Sequence, residues 1–158
     1  MTNQLIVKMA LDAWNTKVKQ TSELINSLTD EQLQSEVSPG RNRGIYLVGH
    51  LVAVHDMMLP LLNLGERSYA TLEESFISNP DKAKPNPITA KELKEAWKKV
   101  HSTLSSQFNN VKPDDWFLKH NSVSQEDFLK EPHRNRLNII LSRTNHLAYH
   151  QGQLVFLK

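Results

Sequence analysis

The chain contains no cysteine. Disulfide staples, thiolate metal sites and a cysteine nucleophile are therefore excluded. Glycine is scarce, five residues in 158, and no Gly-rich phosphate loop can be found. Charge of one sign never accumulates. The 19 basic and 17 acidic residues leave a formal net charge of +2 and are interleaved, as in Lys91-Glu92-Leu93-Lys94-Glu95. Without a basic stripe, nucleic acid is not an expected partner. Segments of alternating polarity bounded by turn residues are missing, which argues against a sheet. Met1 to Lys19 lacks the apolar centre of a signal peptide, and no stretch approaches the roughly 18 apolar residues of a membrane span. A soluble cytoplasmic chain with no membrane partner is expected.

What the sequence does have is length enough for one domain over 1–158, with 39% apolar and 23% charged residues, an ordinary globular balance. Long stretches free of Gly and Pro carry apolar residues at helical spacing. The first covers about Thr2 to Leu28. The second, about Arg43 to Leu64, is apolar over most of its surface and should be largely buried; Pro60 predicts a kink or early end within it. Residues 65–88 hold Gly65, Pro80, Pro85 and Pro87 and read as a long connection, with a short helical piece near Leu72 to Phe76. A connection of that length often sits near a site. Thr89 and Glu92 form a capping box that opens a third helix, reaching about Asn110 with Leu93, Trp97, Val100, Leu104 and Phe108 inward. After an irregular stretch, a fourth helix begins near Asn135 and runs almost to the C-terminus. Four amphipathic stripes predict an all-α fold, most simply a four-helix bundle. Pro39-Gly-Arg-Asn-Arg43 and Pro132-His-Arg-Asn-Arg136 echo each other ahead of the second and fourth helices. Coincidence with shared helix-entry chemistry explains this as well as a repeat does.

Seven histidines are present. His146 and His150 are four apart, so two imidazoles share one helix face about a turn apart. By itself the pair is a weak signal and requires a third ligand. His50 is the best candidate, because a histidine within the most apolar segment must be hydrogen-bonded, buried neutral or bound to something. His55 lies about 140° around the helix from His50 and cannot readily face the same ion; it reads as a surface or packing residue. His101, His120 and His133 read as surface residues, and Asp114-Asp115 as capping or solvated carboxylates. Three neutral imidazoles would leave an ion its full charge and an open position, the pattern of a catalytic site rather than a closed structural one. Such an ion can acidify water, as a hydrolase needs, or bind a substrate thiol as thiolate, as a thiol transferase needs. Tyr46, one turn before His50, is a candidate for the site wall. Tyr149 and Gln153 flank the late pair and serve either the site or packing. Gly152 inside a helix suggests close backbone contact with a neighbouring helix or a second copy.

Asn42-Arg-Gly-Ile-Tyr-Leu-Val-Gly-His50, followed by Asn145-His146-Leu-Ala-Tyr-His150-Gln-Gly-Gln153, resembles the DinB/YfiT-like metalloenzyme family over essentially the whole chain. The late His-x-x-x-His-x-Gly-Gln is the more specific part. The resemblance implies a four-helix bundle of mirror-type up-and-down arrangement and one divalent transition metal, zinc or nickel, held by His50, His146 and His150. It also implies a homodimer and, in some members, transfer chemistry on a small-molecule substrate with a low-molecular-weight thiol such as bacillithiol or mycothiol. A non-catalytic metal-binding or stress-response protein on the same scaffold is the alternative. Where family members carry Arg after the second late histidine, this chain has Gln151, and a role for that arginine does not carry over.

Overall fold

A computed structural model describes residues 2–158, and all the named elements among them are helical. The α-helices are α1 (Asn3–Ser27), α2 (Asp30–Gln34), α3 (Gly44–Asp56), α4 (Met58–Leu61), α5 (Glu73–Phe76), α6 (Ala90–Asn109), α7 (Gln125–Lys130) and α8 (Arg136–Leu154). The four long ones pack in a ring: α1 on α8, α8 on α3, α3 on α6 and α6 on α1.

Local chemistry explains the boundaries. Two capping boxes start helices, Thr29 with Gln32 at α2 and Thr89 with Glu92 at α6. Each satisfies backbone N–H groups that a helix N-terminus leaves free. The first of these was not evident from the apolar pattern. The break expected at Pro60 occurs upstream, at Met57, between α3 and α4. A proline ring clashes with the carbonyl four residues earlier, here that of Asp56, so the helix must yield before the proline itself. The two echoed motifs enter their helices one residue out of register. The N-cap position of α3 is Arg43, whose side chain makes no capping bond, and that of α8 is Asn135, whose side chain accepts from the Asn138 N–H. Each lies in an isolated antiparallel bridge, with Glu36 and Lys119 respectively.

The core is built around α3, whose Ile45, Leu47, Val48, Leu51, Val52 and Ala53 are all buried. Trp14 and Ile25 of α1, Trp97 and Leu104 of α6, and Ile140 and Leu147 of α8 close over it. The segment Gly44–Leu61 is long and apolar enough to meet a membrane-span criterion, with mean hydropathy 1.4 over 18 residues. This corrects the expectation that no stretch approaches one. Two thirds of that window is buried inside the protein, and its length is divided between α3 and α4, so its apolarity is used by the core.

Two carboxylates help tie the connection 65–88 to α3 and its N-cap. Asp56, fully buried, accepts the backbone N–H groups of Ser68 and Tyr69 at 3.0 and 2.9 Å. Asp81 accepts the Arg43 backbone N–H at 2.8 Å and its Nη2 at 2.7 Å. Burial acts to raise the Asp81 pKa, and the Arg43 bonds outweigh it, so the carboxylate stays below its usual range. The connection is thus anchored against the helix that carries His50.

Candidate metal centre

His50 is half-buried on α3, and His146 and His150 are half-buried one turn apart on α8. Their ring nitrogens converge. His146 Nε2 lies 3.1 Å from His50 Nε2 and 3.1 Å from His150 Nε2, and the three offer ligand atoms within 4.8 Å of one another. The cluster could therefore hold a metal ion.

The outer nitrogens set the tautomers of two of the three rings; that of His146, Nδ1, is buried with no partner. His50 Nδ1 is 2.8 Å from the Phe76 carbonyl oxygen. A carbonyl only accepts, so His50 Nδ1 carries a proton, and in the neutral ring Nε2 carries the lone pair. His150 Nδ1 donates in the same way to Gln153 Oε1 at 2.7 Å, leaving a second lone pair at His150 Nε2. Both lone pairs point at His146 Nε2, which has at most one proton to share between them. A cation resolves the conflict. For bonds of about 2.0–2.1 Å, tetrahedral zinc places its nitrogen ligands roughly 3.3 Å apart, close to the 3.1 Å observed. Burial pushes the His146 pKa down to about 4, with His150, His50 and Arg143 adding to the effect. Burial likewise lowers that of His150, with Gln153 opposing. Neutral imidazole is the ligand form.

Each partner has a structural origin. Gly49 is where the connection meets α3: a Cβ there would sit 2.5 Å from the Phe76 ring. The absent side chain lets buried Phe76 approach, and this brings its carbonyl to His50. No sequence motif marks Phe76, because a backbone carbonyl has no residue signature. Tyr46 stacks beside His50, with ring centroids 6.5 Å apart and planes 13° apart, and its hydroxyl donates to the Asn79 carbonyl at 2.8 Å. Tyr149 is exposed and meets His150 only edge-on. Gln151 lies 3.5 Å from Lys17 Nζ, toward α1.

The remaining histidines divide differently from expectation. His55 is fully buried, a packing residue, and it pairs with His101, which is buried and not on the surface. His101 occupies the row Trp97, His101, Leu104 and Phe108 on the inner face of α6, a spacing that signals its burial. His120 is also buried, its Nδ1 accepting from the Ser122 N–H at 3.2 Å; it is held inside by the loop fold, which apolar periodicity does not reveal. His133 is exposed as expected. Gly152 is a further correction. A Cβ there would meet nothing within 4 Å, so no neighbouring helix of this chain requires glycine at that position. Asp114 accepts a hydrogen bond from Asn3 at 2.9 Å, in keeping with a solvated loop carboxylate.

Among solved structures, a DinB-like protein from Bacillus cereus ATCC 10987 is similar at 21% identity, covering 94% of this chain and 87% of its own, with a TM-score of 0.68. A conserved protein from Enterococcus faecalis is similar at 14% identity, covering 96% and 94%, with a TM-score of 0.64. Both likenesses concern the fold. No curated protein matches significantly. The profile of the DinB superfamily matches residues 13–154, nearly the whole chain, and with the histidine cluster in the expected positions the chain belongs to the DinB superfamily.

Proposed function

We propose that this protein is a metal-dependent enzyme, a transferase using a low-molecular-weight thiol, with one zinc or nickel ion held by His50, His146 and His150. The observation carrying this reading is the convergence of three imidazole nitrogens, the His50 and His150 lone pairs both aimed at His146 Nε2, while the buried His146 Nδ1 has no hydrogen-bond partner. A bound ion would supply a Lewis acid with an open position, suited to lowering the pKa of a thiol or water. The chain's own residues do the positioning. The Phe76 carbonyl and Gln153 orient two of the rings and keep their Nε2 atoms unprotonated. Tyr46 walls one side of His50.

The supporting architecture is proposed as a single domain, a four-helix bundle of mirror-type arrangement formed by α1, α3, α6 and α8. We further propose a cytoplasmic homodimer acting on a small molecule, without nucleic acid or membrane. The exposed Met9, Tyr149 and Phe156 supply apolar surface that a second copy could cover.

The alternative reading is a non-catalytic metal-binding or stress-response protein. It is favoured by the composition of the cluster, which contains no Asp or Glu among the described residues and so offers no carboxylate as a general base. The test is metal analysis of untagged protein followed by assays with thiols and electrophiles. About one metal per chain with thiol-dependent turnover supports the enzyme. Full metal loading with no turnover across the panel supports the alternative.

A further inference from the structure

A cavity of about 460 Å³ opens between the end of α3, α4, the loop at 119–123 and α8. Its lining combines the apolar Met57, Pro60 and Leu61 with Arg67, Arg143, Asn121 and Ser122. The two arginines differ. Arg67 is already neutralised: it pairs with Glu73, and its Nε is 3.6 Å from the buried Asp56 carboxylate. Arg143 forms no hydrogen bond and no ion pair among the described residues, and its Nε is shut off from solvent without a partner. A buried guanidinium N–H with no acceptor is unfavourable unless something else supplies one. Arg67, whose Nε and Nη2 also lack a hydrogen-bond partner, at least has two carboxylates to balance its charge.

The cavity is pinned in shape, and two of its lining residues, Met57 and Arg143, lie on or next to the helices that carry the histidines. The Asn121 backbone N–H donates to the Leu61 carbonyl at 2.9 Å, which fixes the loop against α4. Arg143 lies three residues before His146 on α8, about 4.5 Å along the axis. Met57 lies seven residues beyond His50, about two turns along the line of α3. Local charges have the same sign as Arg143: burial lowers the pKa of His120, and Arg134, Lys119 and Arg143 lower it further.

The geometry points to this cavity as a binding site for a small organic carboxylate, its carboxylate on the Arg143 guanidinium and its apolar body on Met57, Pro60 and Leu61. A planar fork of N–H donors matches a carboxylate in bidentate fashion, and one uncompensated cation suits one negative charge. The inference deepens the proposed function by giving the substrate class and rests on that reading only in calling the ligand a substrate; the binding itself needs no metal.

Titration of the ¹⁵N-labelled chain with butyrate, inorganic phosphate and butylamine tests it, on wild type and on His50→Ala, where carboxylate ligation of a metal is removed. Butyrate should move the Arg143 Nε–H and Ser122 amide resonances saturably in both chains, with phosphate weaker and butylamine inert. Arg143→Met should weaken butyrate binding about 10-fold or more, and Arg143→Lys, which keeps the charge but loses the fork, by less. Unchanged amide spectra elsewhere certify the fold of each variant, and the Lys variant serves alone if the Met variant does not fold. An unaltered midpoint in the folded variants, the absence of saturation in wild type, or phosphate binding as tight as butyrate would overturn the assignment. Metal content, measured separately, leaves these outcomes readable if the metal reading fails.

Discussion

Two histidine groups share the interior, and they resolve their hydrogen bonds in opposite ways. In the His55–His101 pair the donors run in sequence. His101 Nδ1 donates to the Trp97 carbonyl at 2.8 Å, so His101 Nε2 must accept, and His55 Nδ1 donates to it at 2.9 Å. The edge of Trp14 covers His55, and Trp97 covers His101. Only His55 Nε2 is left without a partner, and it is sealed from solvent. In the His50–His146–His150 group two rings send their protons outward, to Phe76 and Gln153, and aim their lone pairs at His146 Nε2, whose own Nδ1 is buried without a partner. A proton chain that closes makes a core; lone pairs that collide make a ligand set. Residue type and helix position do not separate the two cases, whereas the direction of the protons does.

The contrast can be broken from either side. The largest effect on stability is expected from His55→Ala, which opens a cavity beside Trp14 and leaves His101 Nε2 without its donor. About 3 kcal/mol of destabilisation in chemical denaturation is predicted, with metal content unchanged. Metal loss in a folded His55→Ala chain would mean that the two groups are one site. The pair should also govern acid sensitivity. Burial lowers the His101 pKa from 6.5 to about 4, against the bond to Trp97, and burial lowers that of His55 as well, followed by the nearby His101. The unfolded chain therefore takes up protons below about pH 6.5 that the folded chain refuses until about pH 4. Stability should fall as pH falls through that window, by about 3 kcal/mol for His101. A denaturation series in which His101→Phe has as steep a pH dependence as wild type would contradict this.

On the other side, Gln153→Ala should leave stability near wild type and weaken metal binding about 10-fold or more, because the ring of His150 loses the acceptor that fixes its tautomer. Competition with a chelator reads this directly, and unaltered affinity would show that the His150–Gln153 bond is incidental. The smallest expected effect is at Gly152. With open space around the missing Cβ, Gly152→Ala should raise the thermal midpoint slightly, by up to about 1 kcal/mol of helix propensity. A clear loss of stability there would instead point to contact with a second copy.

Much of this was legible beforehand. Four periodic stretches gave the long helices, because amphipathic spacing is written in side chains. The i, i+4 pair His146 and His150 and the anomalous His50 pointed to one cluster for the same reason. What stayed hidden depends on the backbone or on distant packing. The Phe76 carbonyl reaches His50 only because Gly49 admits the Phe76 ring. His120 is buried by its loop, and Arg143 is left without a counterion by where α4 and that loop happen to stand. His101 carries two opposed signals: its register with Trp97 and Leu104 places it inward, while its polarity points to solvent, and register wins.

Inward lone pairs, and not burial, mark the metal ligands. Elemental analysis of untagged wild type, His50→Ala and His55→Ala, each shown to be folded, tests this most directly. About one zinc or nickel per chain is expected in wild type and His55→Ala, and essentially none in His50→Ala. Metal retained in His50→Ala, or absent from wild type offered both ions, would show that the cluster is not a ligand set.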